Sequence, residues 1–307
     1  MSRITWITLS AAVVALAAVA AAAALLAGGG GGSEPTTTAS DTTPLSSTQS
    51  FSLPLAEEPS TLALAKHSGA LLVGLAARPG GPVEVAVLRG QDPVAANEFQ
   101  VQIDGKTVEA RTCGQGCSRI EAAVLGGSPK RLTVRAGSVT LAFELPARLP
   151  PTGAGVFGRA QETMGSLQSF RFHERLTSGA GGVSTDYEVQ APNRLRLHTT
   201  GGYRAVYIGR AQWDYQGGRW ERAPFPGLTL KQMLVWYQAK HARIVGRRAN
   251  GVTELAAFGL EPVPAFFRLE VEPTGRVVEA DMIAASHFMV HRYSDYNGRF
   301  TIRPPQQ

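Results

Sequence analysis

The feature that most restricts this chain is how short its apolar runs are. Between residues 70 and 145 the segments ALLVGLAA, PVEVAVLR, EFQVQI, KTVEAR, RIEAAV, RLTVRA and SVTLAFEL are separated by turns such as RPGG, IDGK and LGGSPK. Such runs are too short for ordinary helices but match the usual length of a strand. In SVTLAFEL, Val139, Leu141, Phe143 and Leu145 alternate with Thr140, Ala142 and Glu144, the period-2 pattern of a strand with one buried face. Seven or eight such strands about ten residues apart predict an Ig-like β-sandwich over residues 51–147.

ARLPPTG, residues 147–153, breaks the strand pattern with two prolines and a glycine. After it, Val156, Ala160, Met164 and Leu167 recur at helical spacing in GVFGRAQETMGSL. Strand-like runs resume at Phe170 and are interrupted once, by LTLKQMLVWYQAKH, where Leu230, Met233, Leu234 and Tyr237 predict a second helix. Five more strand candidates follow, ending in SHFMVHRY, which reads as the penultimate strand before a closing segment RFTIRPP. The expected second domain, residues 154–307, is an antiparallel sheet with one or two covering helices.

Ile4 to Ala27 is a run without a charge, long enough to span a bilayer, and Arg3 before it keeps the N-terminus cytoplasmic. The expectation is a transmembrane anchor or a signal peptide over residues 1–27, which puts residues 51–307 outside the cytoplasm in both cases. The protein is then single-pass in the cell membrane, or secreted if the segment is cleaved. Residues 28–50, GGGGGSEPTTTASDTTPLSSTQS, cannot bury a core and read as a flexible tether of about 25 Å root-mean-square reach. Cys113 and Cys117 are the only cysteines. An even pair in an oxidising compartment predicts a disulfide, which Gly114 and Gly116 permit by letting the loop turn tightly. A redox or metal pair is the alternative, but C-x3-C lacks redox spacing and no histidine is near.

The net charge of +6 resides in residues 151–307, where Arg outnumbers Lys 17 to 2, yet no basic run exceeds Arg247-Arg248. Nucleic-acid binding wants a clustered basic face with stacking aromatics, so no nucleic-acid partner is expected. GxSxG, GxxxxGK[ST] and HExxH are absent; His173-Glu174 has no second His at the required spacing. Asp186, Asp214, Glu221 and Glu279 are spread singly along strands. The chain reads as a non-enzyme without a cofactor.

ERLTSG, APNRLRLHTTGGYRAVYIGRAQWDYQGGRWER, FFRLEVEPTGRVVEADMIAASHFMVHRYSDYN and RFTIRPP resemble, in their order, the LolA/LppX-like half-barrel, a fold whose curved sheet and helices enclose a lipid-binding cavity. Residues 51–307 together resemble the exported C-terminal region of actinobacterial CopC/CopD-type copper-resistance proteins, where an Ig-like segment with a short-spaced Cys pair precedes such a half-barrel. CopD-type proteins carry several membrane helices and this chain has one candidate, so transmembrane copper transport does not carry over.

The resemblance implies a membrane-tethered binding protein that holds a hydrophobic or lipid-like ligand in the C-terminal half-barrel. The cavity lining would include Val206, Ile208, Trp213, Trp220, Leu234, Phe267, Leu269, Met282 and Met289, with Arg204 or Arg210 at the rim for an anionic headgroup. Two alternatives stand beside it. One is an accessory copper-binding protein of the envelope, because period 2 places His287, Met289 and His291 on one face. Same-face neighbours are nearly 7 Å apart, so one ion would need long side chains or a ligand from another strand. The other is an interaction module for an envelope protein, with no small ligand.

Overall fold

Three antiparallel sheets make up most of the regular structure in the computed structural model, which describes residues 51–306 apart from 180 and 262. The expected membrane segment and the tether lie outside the described residues. Among the described residues no helix is long and apolar enough to cross a membrane.

The first ten strands are β1 (Leu62–Ser68), β2 (Leu71–Ala77), β3 (Val83–Arg89), β4 (Asp92–Pro93), β5 (Phe99–Ile103), β6 (Lys106–Val108), β7 (Arg111–Gly114), β8 (Cys117–Ile120), β9 (Lys130–Ala136) and β10 (Val139–Leu145). They form one sheet in the order β1-β2-β3-β8-β7, with β4 beside β3, and a second in the order β10-β9-β5-β6. The two face each other across a core in which Val73, Leu75 and Val85 meet Val101, Leu132 and Phe143. The edges β1 and β10 are left side by side at one margin of this sandwich.

Helix α1 (Ala154–Gly165) follows, burying the expected Ala160 and Met164 together with Phe157, while Val156 is half-buried. Its start is cramped: Gly153 N–H donates to Ala242 O at 2.6 Å, and a Cβ there would lie 2.7 Å from Leu255 Cδ2. The remaining strands are β11 (Ser169–Thr177), β12 (Gly182–Gln190), β13 (Arg194–Thr199), β14 (Arg204–Ile208), β15 (Ala211–Gln216), β16 (Arg219–Pro224), β17 (Lys240–Arg247), β18 (Thr253–Gly259), β19 (Ala265–Val271), β20 (Val277–Ala284) and β21 (His287–Ser294). They build one open sheet in the order β16-β15-β14-β13-β12-β11-β21-β20-β19-β18-β17. The SHFMVHRY strand, β21, is therefore the last strand and lies mid-sheet between β11 and β20. RFTIRPP forms no strand; it lays Ile302 against the outer face, where Arg194 donates to Ile302 O at 2.8 Å.

The expected second helix is a strap instead. β16 and β17 are consecutive in sequence but occupy opposite edges of the sheet, so residues 225–239 must cross its inner face. A fifteen-residue helix would reach only about 22 Å, whereas a largely extended segment reaches about twice that. One 3-10 turn survives, Leu230–Met233, capped reciprocally by Thr229 and Gln232. The strap buries Leu228, Leu230, Met233, Leu234 and Trp236 in the same inner core as α1. Gln161 of the helix donates to Tyr237 O at 2.6 Å and ties the two together.

The sandwich is fixed to the outer face of this sheet. β2 is buried along its whole length because one face looks into the sandwich and the other outward. The outward set, Leu72, Ala76, Ala86 and Leu88, packs with the leading segment Phe51–Ala56 against Phe258, Phe266 and Phe288 of the large sheet. Phe51 stacks on Phe266 with centroids 6.1 Å apart, and Arg243 donates to Thr61 O and Pro150 O at 3.3 Å each. Buried apolar contact of this kind sets the orientation of the two parts.

Cys113 and Cys117 form a disulfide. Their loop receives the leading segment through Ser52 N–H to Gln115 O, 2.9 Å. Fully buried Glu84 takes Leu55 N–H at 2.8 Å and Arg119 at 2.6 Å, so its charge is matched where it is desolvated.

Candidate functional site

A cleft of about 1110 Å³ runs between the sandwich and the outer face of the large sheet. On the sandwich side it is walled by the edge strands, chiefly Leu64 and Ala65 of β1 and Phe143 and Leu145 of β10. Lys66 bridges those edges, its ammonium donating to Ala142 O at 2.5 Å and lying 5.5 Å above the Phe143 ring. The floor is the interdomain run Pro146–Pro151 with Ile244 and Val245. The opposite wall is the outward-facing set of three adjacent strands: Ala256 and Glu254, Phe266 and Arg268, Ile283 and Asp281. Register explains the set, since Arg268 stands opposite Ala256 on one side and Asp281 on the other.

The charged groups on that wall are mostly committed. Glu254 accepts from Arg268 at 2.5 Å and from Arg248 at 3.2 Å, and these bonds hold its carboxyl below the ordinary range. Glu270 pairs with Arg248, and Glu279 with Arg292 at 2.8 Å. Asp281 is different: among the described residues it has neither an ion pair nor a hydrogen bond. Burial first, and the Glu279 charge second, push its pKa up to about 6. Lys66, Glu144 and Arg148 lie exposed at the margin.

On the inner face, where the ligand is expected, the cavity beneath the covering elements is small. α1 and the strap leave a cavity of about 30 Å³ lined by Phe172, Glu174, Tyr187, Met233, Met289 and His291. That is room for roughly one water. Beside it runs a buried polar chain. Trp236 Nε1–H donates to Tyr293 Oη at 3.1 Å; Tyr293 Oη lies 3.3 Å from His291 Nδ1; His291 Nε2 lies 2.7 Å from Glu174 Oε2; and Tyr187 O–H donates to Glu174 Oε1 at 3.2 Å. The tautomer with its proton on Nε2 gives each of these protons an acceptor, so the chain closes on itself. Burial raises the phenol pKa of both Tyr187 and Tyr293.

His287, Met289 and His291 do share the inner face, as their spacing predicts, but they do not converge. Four residues along a strand separate the two imidazoles by about 13 Å. Both nitrogens of His291 are engaged, and His287 Nδ1 lies 3.0 Å from Ala285 O. Among the described residues, the group of His, Cys, Asp or Glu ligand atoms close enough to share an ion is Glu84, Cys113 and Cys117, whose sulfurs are bonded to each other.

Of the lining residues expected from sequence, Leu234, Phe267, Leu269, Met282 and Met289 lie in the inner core, and Phe267 also borders the cleft. Val206, Ile208, Trp213 and Trp220 lie on the opposite face, beneath Phe300 and Ile302. The parity of β14 to β16 is the reverse of that expected, and a shift of one residue exchanges faces. Arg204 lies 3.7 Å above the Tyr215 ring on that outer face, and Arg210 is exposed in the turn before β15. Asp281 and the cleft wall were not foreseen. The adjacent Phe266-Phe267 pair is their trace in the sequence, since neighbouring residues on a strand face opposite ways and both rings here are buried.

No protein-family model and no curated protein matches the chain. Solved structures similar to part of it include LprF from Mycobacterium bovis, at 13% identity over 52% of this chain and 100% of that one, with a TM-score of 0.40. The lipoprotein LppX from Mycobacterium tuberculosis aligns at 12% identity over 49% and 99%, with a TM-score of 0.38. A LolA superfamily protein from Nitrosomonas europaea aligns at 12% identity over 49% and 95%, with a TM-score of 0.25.

Proposed function

We propose that this protein binds a hydrophobic or lipid-like molecule, without chemistry on it, in the cleft between the sandwich and the eleven-stranded sheet. The observation that carries this reading is the contrast in volume: about 1110 Å³ in the cleft against about 30 Å³ on the inner face. Small-molecule sites typically occupy about 300–1,000 Å³, so the cleft is the space that accepts an alkyl chain or a ring system. Leu64, Phe143, Phe266 and Ile283 supply apolar contact, worth about 0.8 kcal/mol for each methylene buried. Residues 4–27 hold the domains outside the cell membrane in this reading, within reach of lipids.

Calorimetric titration with decanol tests the location. Ala65→Trp places a ring in the cleft, and the dissociation constant is expected to rise about tenfold or more. Met289→Ala alters only the inner cavity, and its affinity is expected to match the wild type. Absence of saturable binding, or a loss confined to Met289→Ala, would overturn the proposal.

A further inference from the structure

Four carboxylates stand on the outer face of β18 to β20, and three of them are paired: Glu254 with Arg268, Glu270 with Arg248, and Glu279 with Arg292. Asp281 is left over, half-buried on the cleft wall. Its cross-strand neighbours are Arg268, already committed to Glu254, and Val290, which offers no donor. A half-buried carboxylate without a donor is an unmet demand for positive charge.

We propose that Asp281 anchors the headgroup of the ligand and selects amphiphiles bearing a protonated amine over neutral or carboxylate ones of equal chain length. The inference rests on the cleft being the ligand site. An ammonium group brings one positive charge and three donors, which meets what Asp281 lacks while the alkyl chain covers Phe266 and Ile283. A carboxylate at the same place would face Asp281, Glu279, Glu270 and Glu254, of which three are already paired and none can donate. Of the cations lining the cleft, Arg268 is paired with Glu254, Lys66 is held by Ala142 O and the Phe143 ring, and Arg148 is exposed at the margin, where a single charge is weakly felt.

The selection is pH-dependent. Asp281 is faced by Glu279 on its own strand, Arg268 and Glu270 on β19, Arg292 on β21, Glu254 through Arg268, Arg175 on β11 beyond Val290, His67 on β1 where it stacks on Phe288, and Lys66, Glu144 and Arg148 across the cleft. An alkylamine stays protonated between pH 7.5 and 5, whereas the Asp281 carboxyl loses its charge as the pH falls through about 6.

Decylamine, decanol and decanoate, each below its micellar concentration, are titrated into wild type and Asp281→Asn at pH 7.5 and pH 5. At pH 7.5 the wild type is expected to bind decylamine about tenfold more tightly than decanol, and decanoate more weakly than either. The amine preference, read as the ratio of decylamine to decanol affinity, is expected to fall to within about twofold at pH 5 and in Asp281→Asn. Equal affinities, a preference for decanoate, or an amine preference that survives Asp281→Asn would overturn the headgroup assignment and leave the cleft standing. Failure of the wild type to bind any of the three would overturn the cleft itself, and the headgroup assignment with it.

Discussion

The two faces of the eleven-stranded sheet bury apolar surface to different ends. On the inner face a helix and a strap are laid directly across the strands, and side chains fill nearly all the space beneath them. On the outer face the cover is a second domain, with its own core, which seats where Phe51 and Leu72 meet Phe266 and stands clear at the other end. The strap lays its own side chains into the inner face, whereas the sandwich meets the outer face only along part of its edge, and the remainder is the cleft. An enclosing fold therefore does not by itself make a ligand cavity. What decides it is how much of the face the covering element meets.

The largest expected effect breaks the inner face. His291→Leu removes the Nε2 donor from buried Glu174 and the partner of Tyr293 at once. Breaking a buried pair by removing one member costs about 3–5 kcal/mol, which denaturant unfolding would register as a lower midpoint at unchanged slope. Replacing both members, Glu174→Leu with His291→Leu, is expected to recover a good part of that loss because no charge is then left unmatched. Decanol binding by the folded single variant should be unaffected, which separates the two faces.

A smaller effect is expected at the junction. Gly74 lies beneath Phe266 so closely that a Cβ would come within 2.4 Å of the ring. Gly74→Val is predicted to lower stability by about 1–3 kcal/mol by overpacking and to weaken decanol binding by shifting the cleft walls. Adding Phe266→Leu makes room, and the double variant should be more stable than Gly74→Val alone. Additive losses would mean that this contact does not set the fit of the two domains.

Much of the fold was legible because local pattern and burial agree. Phe143 and Leu145 of SVTLAFEL face the sandwich core as their alternation requires, and α1 buries the expected Ala160 and Met164. ALLVGLAA lacks alternation because β2 is covered on both faces, by the sandwich core and by the large sheet. Parity failed at β14 because Ala205 and Tyr207 are apolar on one face and Val206 and Ile208 on the other, so alternation carries no sign there. The strap looked helical because its apolar spacing is helical; only the sheet order, which joins opposite edges, shows that it must extend. His291 was visible, but Glu174, its partner 117 positions away, was not. The cleft depends on how two domains meet, and no window of sequence contains that.

The smallest effect expected is the one that ties the outer face to solution conditions. The Asp281 carboxyl sits at about 6 in the folded protein against an ordinary value of 3.8, so the folded state binds its proton more readily than the unfolded chain. Its contribution to stability is then fully present below pH 3.8 and is lost as the pH rises through about 6. Asp281→Asn cannot ionise and should keep that contribution at every pH. The variant is expected to melt higher than wild type at pH 7.5 and level with it near pH 4. Because the group is partly solvated, the difference should be under about 1 kcal/mol, a few degrees at most. Decylamine should shrink the gap at pH 7.5 by stabilising the wild type more than the variant, which binds it more weakly. A shift of equal size at both pH values would trace the effect to packing around residue 281 and not to its charge.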